Sequence, residues 1–316
     1  MSQIVGEVVK SMVARDPYEL PLAPVYEATE NSYPAALGMM TLWRTVTSAG
    51  KPNFLAVDPV RGQAFFLMQI SEAGDLSVLW GRIKVVDRKI TQLELYINRS
   101  RGDHGFSYSA SSLPANVRSW MHPPADRVVA SRAELERLSR AAFNASDPIS
   151  VKVGRHCQFL EVGSHIIDPG LGPGFGPARA HPDAPLGCMF PPFRPTDLRA
   201  RTVVIDQKLG IVVDAGMVRG KVYPYPFFGH MISAFIPDEM RQAQELQERW
   251  YRQMIREGKG PLLQPAAATG VTMQVLQFYN GKLQGLQINV HLEGPAARSV
   301  WVGQDQNKPD LPERRR

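Results

Sequence analysis

The sequence predicts an α+β protein built from two copies of one domain, and three matched features predict it. Each half opens with an amphipathic helical stretch before an Asp-Pro pair. Each then has an Asp/Gly turn into a β-rich segment, and each closes on a tight hairpin turn, in the same order. In the first half Val5, Val8, Val9, Met12 and Val13 line one helical face ahead of Asp16-Pro17. In the second, Leu135, Leu138, Ala142 and Phe143 do so ahead of Asp147-Pro148. Glu30 and Glu161 each follow thirteen residues after the proline. Val57-Asp58 to Gly62 matches Ile205-Asp206 to Gly210. The turn Asp87-Arg88-Lys89 matches Asn280-Gly281-Lys282, and Asn-Gly between alternating strands is a strong hairpin signal.

The offset between matched positions grows from 131 to 148 and then 193 residues, so the second copy carries two insertions. One, 168–195, is dense in Gly and Pro. The other, 221–268, opens on Tyr223-Pro224-Tyr225-Pro226 and contains a helix over Asp238–Glu257. On that helix Met240, Ala243, Leu246, Trp250 and Met254 form a stripe, with Glu245–Arg249 and Glu248–Arg252 able to pair opposite it. The stripe packs on the domain or, alternatively, forms a lid or a subunit contact. The expected boundaries are a first domain at 1–112, a linker at 113–130, a second domain at 131–303 and a polar tail at 304–316.

The 316 residues are 44 % hydrophobic and 21 % charged, the balance of a folded chain. The formal charge of +6 comes from scattered Arg and Lys, and the one dense cluster, Arg314-Arg315-Arg316, ends the polar tail without the aromatic platforms that nucleic acid requires. The expectation is no nucleic-acid partner. No apolar run approaches the ~20 residues of a membrane span, and the start lacks a signal-peptide pattern. Cys157 and Cys188 allow one bridge at most, and a reducing cytoplasm is the simpler reading. His156, Cys157, His165, His181 and Cys188 lack metal-ligand spacing, so the expectation is no metal and no cofactor. The glycine-rich run from Gly170 to Gly176 lacks a phosphate-loop ending, and no nucleophile elbow occurs.

The segments Asp16-Pro17 with Glu30-Asn31, Val57-Asp58 to Gly62, and Arg82 to Ile90 resemble the nuclear transport factor 2-like superfamily. So do their partners Asp147-Pro148, Glu161, Arg199 to Gly210 and Phe278 to Leu283. That superfamily includes SnoaL-like polyketide cyclases, ketosteroid isomerase and scytalone dehydratase. The resemblance covers both halves outside the insertions and lies at the level of the fold, because the superfamily has no invariant catalytic motif. It implies tandem cone-shaped domains, each a strongly curved, mainly antiparallel sheet wrapped around N-terminal helices. It implies a deep apolar pocket for cofactor-independent acid–base chemistry. It also implies pairing through open sheet faces, made internally by a tandem chain, with a homodimer as a further expectation.

The function so implied is a lyase acting on a hydroxylated aromatic or hydrophobic small molecule, releasing formaldehyde as aryl-propane-diol lyases do, or water. An isomerase or cyclase is the alternative. A non-catalytic binding or assembly module is another, and it predicts a filled or open cone without convergent polar groups. The candidate acid–base groups are Glu161, His165 and Tyr223, because an extended segment would place Glu161 and His165 on one face. Candidate substrate contacts are His156, Arg199, Asp214, Tyr225, His230 and His291, with Arg199 and Arg201 alternating onto one face. In the first copy Tyr26, Glu30, Asn31, Trp43 and Arg44 fall in the matching region, with few bases among them. Against each stands a structural role: a solvent-facing Glu with a packed His, an exposed pair of Arg, a Pro-Tyr-Pro loop packed on the sheet.

Overall fold

The computed structural model describes residues 1–100, 107–143, 151–166, 188, 201–227, 230–260 and 263–301. The first half runs α1 (Ser2–Ala14), β1 (Leu22–Glu30), β2 (Tyr33–Pro34), α2 (Leu42–Thr45), β3 (Val46–Ala49), β4 (Phe54–Asp58), β5 (Gln63–Glu72), β6 (Asp75–Val86) and β7 (Lys89–Asn98). A short α3 (Leu113–Asn116) leads to α4 (Arg132–Phe143). The second half continues with β8 (Val153–Glu161), β9 (Ser164–His165), β10 (Arg201–Asp206), β11 (Ile211–Phe227), β12 (His230–Pro237), α5 (Arg241–Arg256), β13 (Ala266–Tyr279) and β14 (Lys282–Glu293). The architecture is α+β, with two seven-stranded sheets.

The sheets correspond strand by strand. The first has the order β2-β1-β7-β6-β5-β3, with β4 also on β5; the second has β10-β11-β13-β14-β8-β9, with β12 also on β11. Read from the hairpin edge, β2, β1, β7, β6, β5 and β4 answer to β9, β8, β14, β13, β11 and β10. The turns agree as well. Asp87 and Arg88 share positive φ with Asn280 and Gly281, the conformation of a two-residue hairpin turn. Gly62 and Gly210 both have positive φ, and a Cβ on either would run into a carbonyl of the neighbouring strand, Val85 or Phe278.

Each helix fills the hollow of its own sheet. Val5, Val8, Val9 and Met12 of α1 meet Phe66, Met68, Leu79, Leu93 and Leu95 in one apolar cluster. Leu135, Leu138 and Ala142 of α4 join the second core. The opposite faces of the sheets pack on each other, so Phe65, Leu67, Val78 and Trp80 share a core with Val213, Ala215, Met273 and Val275. Trp120 and Leu113, within the expected linker, are buried in that same core.

The contact between sheets is reciprocal. Asp58 at the end of β4 accepts from Ile205 N at 3.0 Å, and Asp206 at the end of β10 accepts from Val57 N at 2.9 Å. These are the matched positions of the two copies, so the halves meet as the two subunits of an isologous dimer do. Asp58 is fully buried and also takes both guanidinium nitrogens of Arg132, at 3.1 and 2.9 Å.

Cys157 and Cys188 are joined in a disulfide, with Cα atoms 5.5 Å apart, the one bridge the sequence allows. Glu248 pairs with Lys221 at 3.4 Å and accepts from Tyr223, rather than pairing with Arg252 along its own helix. Of the apolar stripe on α5, Ala243 is buried against Tyr223 and Ile236, whereas Leu246, Trp250 and Met254 stay half-buried. Most of the insertion at 168–195 lies outside the described residues. No helix among the described residues is long and apolar enough to cross a membrane.

Because the halves share a core, urea unfolding should be one cooperative transition. Asp58→Ala should cost about 3–5 kcal/mol, since it takes the acceptor from both Nη groups of Arg132 and from a buried backbone N–H. Asp206→Ala should cost about 1–3 kcal/mol. A cost for Asp58→Ala no larger than that of a surface substitution would contradict the reciprocal contact.

Candidate functional site

The alternation of β11 turns Asp214 inward, toward α4, and buries it completely. Ser139 of α4 donates to one carboxylate oxygen of Asp214, and Ser139 also lies 2.5 Å from the Thr202 hydroxyl. Since the single Ser139 proton goes to the carboxylate, Thr202 donates to Ser139. Arg61, from the first half, donates to the Thr202 carbonyl at 2.8 Å. The second oxygen of Asp214 and the amide nitrogen of its cross-strand neighbour Gln274 are buried, and the hydrogen-bond geometry gives neither a partner among the described residues. Burial pushes the Asp214 carboxyl up to about 7, against the opposing pull of Ser139, Gln274 and, more weakly, Arg61. A carboxyl in this state exchanges its proton near neutrality, and Thr202 is only half-buried, so the hydroxyl chain leads outward.

The first half has nothing of the kind at the same place. Phe66 sits opposite Gly81 as Asp214 sits opposite Gln274, and at the helix level of Ser139 α1 carries valine, Val9 counted from the helix start and Val8 counted back from the Asp-Pro pair. Val9 and Phe66 are buried in the apolar cluster. One interior is therefore apolar where its copy is polar.

A second polar cluster lies between the sheets. Glu94 accepts from Arg82 at 2.7 Å, from Arg201 at 2.5 Å and from Tyr96 at 3.0 Å. Arg82 also reaches Gln92 at 2.7 Å and lies 4.5 Å from the ring centre of Trp301. Burial alone would raise Glu94, but Arg201 and Arg82 outweigh it and hold the carboxyl below its ordinary range. Burial lowers Arg82 to about 10, still charged at neutral pH. This cluster fastens the halves together; Arg201, expected on an exposed face, is its crossing member.

The sequence-predicted catalytic groups do not converge. The chain reverses at Val162 and Gly163, so His165 pairs with Leu160 and Glu161 with Ser164. Glu161 and His165 therefore point to opposite faces, and the expectation of a shared face is wrong. Glu161 accepts from Ser107 N at 3.1 Å. His165 is half-buried, and burial lowers its pKa, which keeps the ring neutral at pH 7. Tyr223 lies three strands across from Glu161 and nine residues along β11 from Asp214, the residue in register with it. Its hydroxyl donates to Glu248 at 3.2 Å, and burial followed by Glu248 raises its pKa.

The expected substrate contacts also scatter. His156 is exposed on β8. His291 faces the first sheet, 6.1 Å from Tyr96 between ring centres and 3.4 Å from Glu293, rather than the second interior. Arg199 and the side chains of Tyr225 and His230 lie outside the described residues. Glu30 accepts from Thr41 and Leu42 at the start of α2, Asn31 accepts from Ile97 N, and Trp43 donates to Ser11 at 3.1 Å. Tyr26 packs on the first core. Ser139, Thr202 and Gln274 escaped the sequence reading, although the matched register of the copies sets Asp214 against Phe66. Among the described residues no three His, Cys, Asp or Glu side chains group as metal ligands.

No family model matches the chain, and no curated protein matches it. Among solved structures it is similar to a de novo designed protein with a curved β-sheet, at 15 % identity over 30 % of this chain and 83 % of that one. The TM-score is 0.26, too low to carry fold or function.

Asp214 links stability to pH. Its folded pKa of about 7 exceeds the ordinary 3.8, so between these values the folded chain keeps a proton that the unfolded chain has lost. Its contribution is complete below 3.8 and declines as pH rises through 7, by at most about 4 kcal/mol. Asp214→Asn should flatten that slope and raise Tm relative to the parent at pH 8 but not at pH 4, measured by thermal melts across pH.

Proposed function

We propose that the chain is a tandem pair of cone-shaped domains of the nuclear transport factor 2-like type, and that its second copy performs cofactor-independent acid–base chemistry. The substrate class is a hydroxylated aromatic or hydrophobic small molecule, and the reaction is a lyase step with loss of formaldehyde or water. The matched strand orders, the helix under each sheet and the internal sheet pairing support the fold. One observation carries the chemistry: a fully buried carboxyl joined to the Ser139–Thr202 hydroxyls in one of two matched interiors, the other being apolar.

Either reaction needs one proton taken from a hydroxyl or carbon and one proton given to the departing oxygen. Asp214 takes the first as carboxylate and holds it as the acid, while the Ser139–Thr202 hydroxyls pass protons onward. Gln274, whose amide bears on the Asp214 carboxyl, is a side-chain donor beside it for an oxygen that gains negative charge. The apolar interior of the first copy makes that copy the structural partner.

The test is turnover of a panel of aryl diols and hydroxy-ketones, with and without a chelator. Asp214→Asn should lower kcat at least about 100-fold, and Ser139→Ala about tenfold. His165→Ala and Tyr223→Phe should leave most of the rate. Full activity in Asp214→Asn, or no turnover of any panel member by the parent protein, would overturn the reading. Solvent deuterium incorporated without loss of a fragment would point to an isomerase instead.

A further inference from the structure

A cleft of about 630 Å³ opens on the first half, away from Asp214. Its walls are the end of α1 (Arg15), the last turn of α2 (Arg44), the β5–β6 turn (Glu72 and Leu76) and the end of β7 (Arg99). Arg99 is fixed: its guanidinium donates to both oxygens of Glu72 at 3.0 Å, and its other bond goes to Thr41 at 3.1 Å. Thr45 and Ser77 complete the carboxylate at 2.5 and 2.9 Å, so Glu72 has little capacity left. Arg15 and Arg44 are different. Both are exposed, and among the described residues neither guanidinium has a side-chain or backbone partner. Asp75 at the rim leaves the cleft with a net positive charge.

The duplicated fold supplies a control. Glu72 pairs with Asp75 as Gly220 pairs with Ala268, and by the same register Ser77 answers to Gly270 and Arg99 to Leu292. None of these three counterparts, Gly220, Gly270 and Leu292, carries a charge. The ring of Phe235 from β12 lies there instead, so close that a Cβ on Gly220 would come within 2.7 Å of it. The second copy thus sets an aromatic ring where the first sets the carboxylate of Glu72 and its partners Ser77 and Arg99.

We propose that this cleft binds a small organic molecule bearing a carboxylate or phosphate group. Arg15 and Arg44 take the oxyanion above the ordered Glu72–Arg99 pair, and the exposed face of Leu76 receives the apolar part. Guanidinium suits this ligand because its fork matches two oxygens at once. The proposal is independent of the chemistry at Asp214.

Calorimetry with benzoate, phenyl phosphate and neutral benzyl alcohol tests it, alongside the Arg15→Ala/Arg44→Ala double variant. Both arginines are exposed and unpaired, so the variant should keep the Tm of the parent. Saturable binding of benzoate or phenyl phosphate is expected, weakened at least about tenfold in the double variant and by added salt. The stronger of the two probes identifies carboxylate or phosphate as the preferred group. Absence of saturation by both probes below about 20 mM, unchanged affinity in the double variant, or equal affinity for benzyl alcohol would overturn the proposal.

Discussion

The buried carboxylate of Asp58 ties the two halves into one working unit. It belongs to the first sheet, yet it holds Arg132, the first residue of α4, and Ile205 of β10. Those two elements deliver Ser139 and Thr202 to Asp214. Arg61, three residues further on, holds the carbonyl of Thr202 itself. The first half is thus the frame against which the second half's interior is set. Removing one member of such a buried network leaves the others desolvated and unpaired, which is why the arrangement is all-or-none.

Sheet pairing also explains where charge is found. Each central strand is buried on both faces, one against its helix and one against the other sheet. Charged side chains on the shared face are held there by their opposite charges, with Glu94 between Arg82 and Arg201. Duplication then frees each copy to diverge at equivalent places. The first keeps an apolar interior and an arginine-lined cleft beside Glu72; the second has a carboxyl inside and sets the ring of Phe235 at the position of Glu72.

The repeat was legible because turns and Asp/Gly punctuation depend on local backbone chemistry. Asp58 and Asp206, Gly62 and Gly210, and the turns at Asp87 and Asn280 all hold matched positions with matched conformations. The site was less legible. The Glu161–His165 expectation assumed a continuous strand, whereas positive φ at Val162 and Gly163 folds the segment back. Asp214 stood in the sequence as one substrate contact among several, because its burial depends on α4, more than seventy residues earlier in the chain. The cysteine pairing likewise depends on a contact between β8 and a residue 31 positions later.

The most direct measurement is an NMR titration of the protein labelled at aspartate Cγ, with Asp214→Asn as the assignment control. The account predicts one carboxyl resonance that titrates near pH 7 and vanishes in the variant. If every aspartate titrates at or below its ordinary range near pH 4, no carboxyl is poised for proton transfer at neutrality, and the central claim falls.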